Sequence, residues 1–319
     1  MGNQMFQYAA AKATAKRLGT ELLLDLHYYD RNSQRIGRSY VLDCFNPPEK
    51  TATIREIMRL FPLQAISHWI KGDASSIVER VSLRAFCSII NIRAIRDEYT
   101  LKNNSDTPFV SIPFSRVYRE KTHYYTPYFL DIADDTYMVG FFESEKFWHG
   151  FDKKDIFSIF SFDASFHEDS LLNEINETQS VSIHVRRGDK VNSAFKPTSL
   201  EYIEQALLII KGKIRQPSFF VFSDDIAWCK IYLPPVVARG GGGYVSLRFV
   251  ENKSVQEDLF LMTRCKHNIT APSTFSWWGA YLNVNPEKII IAPHESLWYE
   301  RYEDRYDLLP KGEGWIILR

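Results

Sequence analysis

The segment Val181-Ser-Ile-His-Val-Arg-Arg-Gly-Asp-Lys190 begins as a buried strand, with Val181, Ile183 and Val185 apolar, and ends in a basic turn. Open α/β sheets bind ligands at the carboxyl ends of their strands, so His184, Arg186, Arg187, Asp189 and Lys190 stand where chemistry is expected. Side chains alternate along a strand, which puts His184 and Arg186 on one face and turns Arg187 to the other. The two arginines should therefore have different jobs, one facing a ligand and the other bracing the loop. A guanidinium fork stays charged and donates two parallel hydrogen bonds, which suits a diphosphate, while Lys190 adds a compact point charge. The plain structural reading pairs Arg187 with Asp189 as an ion pair at the strand end.

Outward from this strand, short β-rich runs alternate with helical patterns, as parallel strands joined by helical crossovers require. Strands are expected at 181–185, 219–222, 244–249, 267–270 and 288–292, and helices at 200–211, 226–232, 255–265 and 274–283. The glycine run 240–243 reads as a loop. Before residue 150 the pattern is less regular: a helix over 4–18, a strand over 21–26, and helical patterns at 54–70 and 77–90. The apolar periodicity breaks between 151 and 178, which places the boundary between residues 1–165 and 166–319.

Two further segments end predicted strands. In Ile269-Thr-Ala-Pro-Ser-Thr-Phe-Ser-Trp-Trp-Gly279, Ser273 and Thr274 are cap candidates for a helix whose first N–H groups suit a phosphate. Trp277 and Trp278 point about 100° apart on that helix; one could line a sugar site, but core packing for both is the better-founded reading. In Phe222-Ser-Asp-Asp225, a carboxylate can accept two hydrogen bonds from a guanine edge, and Asp225 serves equally as a helix cap. Gly2-Asn3-Gln4 brings polar amides and a close-approach glycine to a helix start.

Composition excludes several classes. Lys+Arg and Asp+Glu are 39 each in 319 residues, so the basic excess that selects nucleic acid is lacking. At 45% hydrophobic and 14% aromatic the chain has the content of a folded protein. No apolar run approaches the ~20 residues of a membrane span, and no signal-peptide pattern opens the chain, which reads as cytoplasmic. The 4 cysteines form no C-x-x-C pair and read as buried thiols. There is no P-loop, G-x-G-x-x-G, G-x-S-x-G or H-E-x-x-H, and no Asp-x-Asp clamp for a divalent ion.

Three motifs carry a resemblance. Gly2-Asn3-Gln4-Met5-Phe6-Gln7-Tyr8, His184-Val-Arg-Arg-Gly-Asp189 and Ser273-Thr-Phe-Ser-Trp-Trp278 look like those of the bacterial α-1,2-fucosyltransferases, glycosyltransferase family 11. The middle one is shared across a wider fucosyltransferase superfamily; the last points to the α-1,2 branch. The resemblance implies an α/β, GT-B-like fold of two Rossmann-like domains facing a cleft. It also implies GDP-β-L-fucose as donor, inversion at the anomeric carbon, and no required metal or other cofactor. An acceptor-side domain over 1–165 would lack its first strand, because Met1 stands directly before Gly2; residues 166–319 would bind GDP-fucose.

Carried over by motif, Arg186 would hold the β-phosphate, with Lys190 and the helix start Ser273, Thr274, Phe275 and Ser276 assisting. His184 and Asp224 would contact the guanosine, Arg187 would sit at the donor site, and Asn3 would reach donor or acceptor from the other domain. Asp189 is a candidate base that could equally hold Arg187. Lys190 stands where this branch often carries Tyr, which leaves linkage open. Acceptor residues are expected among 124–128 and 141–148. The expected partners are GDP-fucose and a β-galactoside glycan of surface polysaccharide or O-antigen synthesis, with peripheral contact to a membrane-bound glycolipid acceptor. A non-catalytic GDP-sugar or glycan-binding protein, or a fucosyltransferase of another linkage, is the competing reading.

Overall fold

The computed structural model describes residues 1–27, 29, 39–60, 109–110, 116–120, 124–191, 196–239, 245–298 and 314–319. Helix α1 (Gly2–Leu18) is an Ala-rich run closed by Gly19 at φ 66°, a left-handed cap that glycine adopts without strain. Strands β1 (Leu23–Leu24) and β2 (Lys50–Thr51) pair in parallel and lead to α2 (Ile54–Leu60). Strands β3 (Phe109–Val110), β4 (Val117–Arg119) and β5 (Tyr137–Val139) form a mixed three-stranded sheet. Helix α3 (Lys153–Ile159), with a capping box between Asp152 and Asp155, and α4 (Ser170–Glu177) then fill the stretch expected to be an irregular boundary.

The second half is one six-stranded parallel sheet. In chain order it runs β6 (Gln179–Val185), α5 (Leu200–Lys213), β7 (Pro217–Ser223), α6 (Ile226–Arg239), β8 (Ser246–Phe249), α7 (Val255–Arg264), β9 (His267–Ile269), α8 (Thr274–Tyr281), β10 (Ile290–Pro293) and β11 (Trp315–Leu318). In space the strands lie β8-β7-β6-β9-β10-β11, so the third, second and first strands of the half precede the fourth, fifth and sixth. This is the Rossmann order, and its direction of winding reverses between β6 and β9. The α/β class expected from the sequence is therefore present, with a Rossmann-like sheet in the second half; the described residues of the first half form a two-stranded and a three-stranded sheet.

Alternation along β6 separates two cores. Val181, Ile183 and Val185 pack with α5 and α6 residues such as Ile203 and Leu233. Phe220 and Phe222 of β7 join the opposite core with Phe6 of α1, Phe260 of α7, and Trp277 and Trp278 of α8. The Phe6 ring lies 4.9 Å from each tryptophan ring. That core extends from Met5 to Ala292, so α1 and α3 pack on the second half although they precede residue 165. The helical patterns at 61–70 and 77–90 and the loop 240–243 lie outside the described residues.

Candidate active site

The winding reversal between β6 and β9 opens a crevice at their carboxyl ends, and both basic and capping motifs emerge there. At the end of β6 the backbone is clamped by Thr198: its hydroxyl accepts from Arg186 N at 2.9 Å, and its own N–H donates to Arg186 O at 3.0 Å. Asp224, at the end of neighbouring β7, accepts the Arg187 backbone N–H on Oδ1 at 2.9 Å and the Arg186 guanidinium on Oδ2 at 3.1 Å. Gly188 leaves room for this carboxylate, because a Cβ there would fall 2.8 Å from Asp224 Oδ2.

The two arginines divide as alternation requires. Arg187 turns to the α6 side, where its guanidinium carbon lies 4.0 Å from the Trp228 ring centroid and its Nε 3.7 Å from Asp225 Oδ2. Asp225 also caps α6, its carboxylate accepting from Trp228 N at 3.2 Å. Arg187 is thus the brace, and Arg186 stays on the α8 side with His184. Asp189 lies in the short turn Gly188–Lys190; its side chain is outside the described residues.

Lys190 crosses the crevice: its ammonium donates to Pro272 O, in the turn before α8, and lies 5.8 Å from the Trp298 ring. Ser273 caps α8 through a 3.3 Å bond from Phe275 N. Ser276 is spent inside the turn, accepting from Ala271 N at 3.0 Å. The Phe275 ring lies 5.5 Å from the His184 ring. His184 is buried, and its Nδ1 has no hydrogen-bond partner among the described residues. Burial, then the charges of Arg186 and Lys190, push its pKa down to about 3, so the ring is neutral and can donate or accept toward a ligand.

The first half reaches the same place. Thr274 Oγ1 donates to Asn3 Oδ1 at 2.5 Å, and Trp278 Nε1 donates to Gly2 O at 3.2 Å. The starts of α1 and α8 are therefore stitched together, with both tryptophans buried in the core rather than lining a sugar site. Among the aromatic acceptor candidates, Phe142, Phe147 and Trp148 are buried, while Tyr128 and Phe141 are exposed.

Sequence reasoning placed Glu143, which follows β5, inside the acceptor stretch 141–148 without giving it a role of its own. Burial and the nearby Glu120 raise its pKa to about 7, against the opposing pull of Lys190. Thr198, Gly188 and Trp228 were missed; only Gly188 had a local signal, as the small residue inside the Arg-Arg-Gly-Asp turn.

The chain is similar to known proteins along most of its length. The sequence profile of the family described as Glycosyl transferase family 11 matches residues 72–315. An Alpha-1,2-colitosyltransferase of Escherichia coli is 29% identical over 100% of this chain and 96% of its own length. The O-antigen biosynthesis glycosyltransferase WbnK of the same organism is 25% identical over 94% of this chain and 92% of its own. The pig Galactoside alpha-(1,2)-fucosyltransferase 2 is 35% identical over 42% of this chain and 40% of its own. With a profile match that covers the larger part of its length and both crevice motifs, the chain belongs to glycosyl transferase family 11.

Proposed function

We propose that this glycosyltransferase moves L-fucose from GDP-β-L-fucose, with inversion and without a metal, to the 2-hydroxyl of a terminal β-galactoside. The observation that carries the reading is Arg186, held at the end of β6 on the same face as neutral His184 and across from the start of α8, with Lys190 beside it. As the sugar–phosphate bond breaks, negative charge grows on the β-phosphate while the fucose becomes oxocarbenium-like. A preorganised guanidinium fork, aided by Lys190 and the α8 start, binds that charge more strongly in the transition state than in the ground state. Arg186 must exchange Asp224 for phosphate when donor enters, or bind both.

The relative named for O-antigen biosynthesis supports a role in surface polysaccharide assembly, and those named for galactoside fucosylation support the fucosyl transfer. The acceptor would be met on a membrane-borne glycolipid. No helix among the described residues is long and apolar enough to cross a membrane. A second reading keeps the site and changes the sugar: the relative that spans the whole chain is named for colitose, the 3-deoxy counterpart of fucose.

The test offers GDP-fucose and GDP-colitose with lactose in EDTA, followed by NMR of the product. An α-1,2-linked fucoside is expected. A colitoside alone shifts the donor, another linkage removes the α-1,2 assignment, and a strict metal requirement removes the metal-independent mechanism. GDP binding with no transfer to a panel of β-galactosides would mark a binding protein.

A further inference from the structure

We propose that Trp298 is a positioning residue for the transfer: its ring holds the Lys190 ammonium at the place where charge gathers on the leaving diphosphate. The proposal rests on the transfer reading above. It gives a role to a third strand end, that of β10, which neither crevice motif contains.

A lysine is a compact charge on a four-carbon stem, and left to itself it spreads over many rotamers. In the crevice the Lys190 ammonium meets the Pro272 carbonyl, to which it donates, and the Trp298 ring, whose centroid lies 5.8 Å away. That separation is within the reach of cation–π attraction, and the indole is only 4% exposed, so water screens the attraction little.

Trp298 is itself fixed at three points. Its Nε1 donates to Pro293 O at 3.2 Å, its backbone N–H donates to Glu295 O at 2.8 Å, and its carbonyl accepts from Lys196 N at 3.1 Å. The turn that carries it starts at His294, whose N–H donates to Leu318 O of β11 at 2.7 Å and whose Nδ1 accepts from Ser296 N at 3.2 Å. A ring anchored in this way does not follow the ammonium; it confines it.

The same turn is tied to Arg186 by the strap 196–198. Lys196 gives its N–H to Trp298 O and its ammonium to Ser296 O at 3.1 Å. Two residues on, Thr198 gives its N–H to Arg186 O at 3.0 Å and accepts from Arg186 N at 2.9 Å. Pro197 between them has no N–H to lose, and its fixed φ stiffens the strap. The indole and the Arg186 backbone are thereby held at one spacing, and Lys190 and Arg186 meet the diphosphate as an oriented pair. When the bond from the anomeric carbon to the β-phosphate oxygen breaks, its electron pair leaves on GDP; Trp298 acts on that step only through Lys190.

The experiment is a double-mutant cycle on kcat with GDP-fucose and lactose, using Trp298→Leu, Lys190→Met and both together, with the melting of each protein followed. Trp298→Leu should lower kcat about tenfold, and Trp298→Phe, which keeps a ring face, by no more than about threefold. In the Lys190→Met background Trp298→Leu should change kcat by less than about twofold, because the ammonium it serves is gone. If Trp298→Leu costs as much without Lys190 as with it, the proposal is overturned, since a ring that only packs the core loses the same whatever stands at 190. Trp298→Phe as impaired as Trp298→Leu overturns it too. Should Trp298→Leu not fold, a tryptophan fluorinated on its six-membered ring, installed at 298 alone, keeps the shape and weakens the negative face. Its kcat should fall about threefold, and an unchanged kcat overturns the proposal. A wild-type protein that binds GDP and transfers no sugar removes the transfer reading, and the role of Trp298 with it.

Discussion

Arg186 does its work through geometry as much as charge. Its backbone is fixed on both sides by Thr198 and its guanidinium is steadied by Asp224, so the fork reaches the crevice already oriented. Arg186→Lys keeps the charge and loses the two-pronged donor; we expect kcat to drop by about 100-fold or more, with GDP affinity falling far less. Near-wild-type turnover would remove Arg186 from the phosphate. Gly188 tests the support behind it. The Cβ of Gly188→Ala would meet Asp224 Oδ2 at 2.8 Å, and a carboxylate can rotate away, so the protein should still fold. Rotation releases both the Arg186 guanidinium and the Arg187 N–H. The expected result is a small change in Tm with kcat reduced about tenfold, in the manner of a misplaced catalytic group. An unchanged kcat would show that Asp224 is not what orients the fork.

At the scale of elements, the junction of α1 and α8 ties the first turn of the chain to the site. A Cβ on Gly2 would fall 2.5 Å from Phe275 N and 2.6 Å from the Thr274 carbonyl carbon, both backbone atoms of α8 that cannot swing aside. Gly2→Ala should therefore push the helices apart, cost roughly 1–3 kcal/mol by overpacking, and lower activity through the Asn3–Thr274 link. Calorimetry checks the first effect, and an unaltered Tm would mean the helices separate freely. This junction also shows what local sequence can carry. β7 was legible because a strand covered on both faces is apolar at nearly every position, and β6 because Val181, Ile183 and Val185 alternate along it; the ends of β6, β7 and β9 gave the site motifs. α6 was expected to stop near 232, before Pro234 and Pro235, but it continues to Arg239. The prolines remove bonds to the carbonyls of residues 230 and 231 on an exposed face, where Ile231 is 67% accessible and water can serve. Val236 and Val237 then hold the last turn on the core. β11 was passed over because only its pairing with β10 makes it a strand. Glu143 lay inside the expected 141–148 stretch, but nothing local marked it among the aromatic residues there, since what raises its pKa is burial and the charge of Glu120, brought near by the fold.

For the molecule as a whole, two buried titratable groups make stability depend on pH in opposite senses. Glu143 has a folded pKa near 7 against 4.5 for an ordinary glutamate, so between these values the folded state binds more protons than the unfolded one. A group of that sign destabilises the fold progressively as pH rises from about 4.5 through about 7, because ionising the buried carboxyl is harder than ionising it in the open chain. His184 has the opposite sign: held neutral to about pH 3 against 6.5 for a free histidine, it gives stability that is full above 6.5 and lost as pH falls toward 3. The charge of Lys190 favours ionised Glu143 and neutral His184 alike. Glu143→Gln isolates the first effect without disturbing the second. Near pH 4 the carboxyl is mostly protonated in both the folded and the unfolded wild type and resembles the amide, so the two Tm values should agree closely. By about pH 8 the wild type carries the full cost of a buried charge, of order 2 kcal/mol, and the variant should melt several degrees higher. That gap, opening as pH rises, is the signature of a carboxylate whose ionisation is opposed by burial. A Tm difference that is the same at both pH values would show that Glu143 is not desolvated in solution.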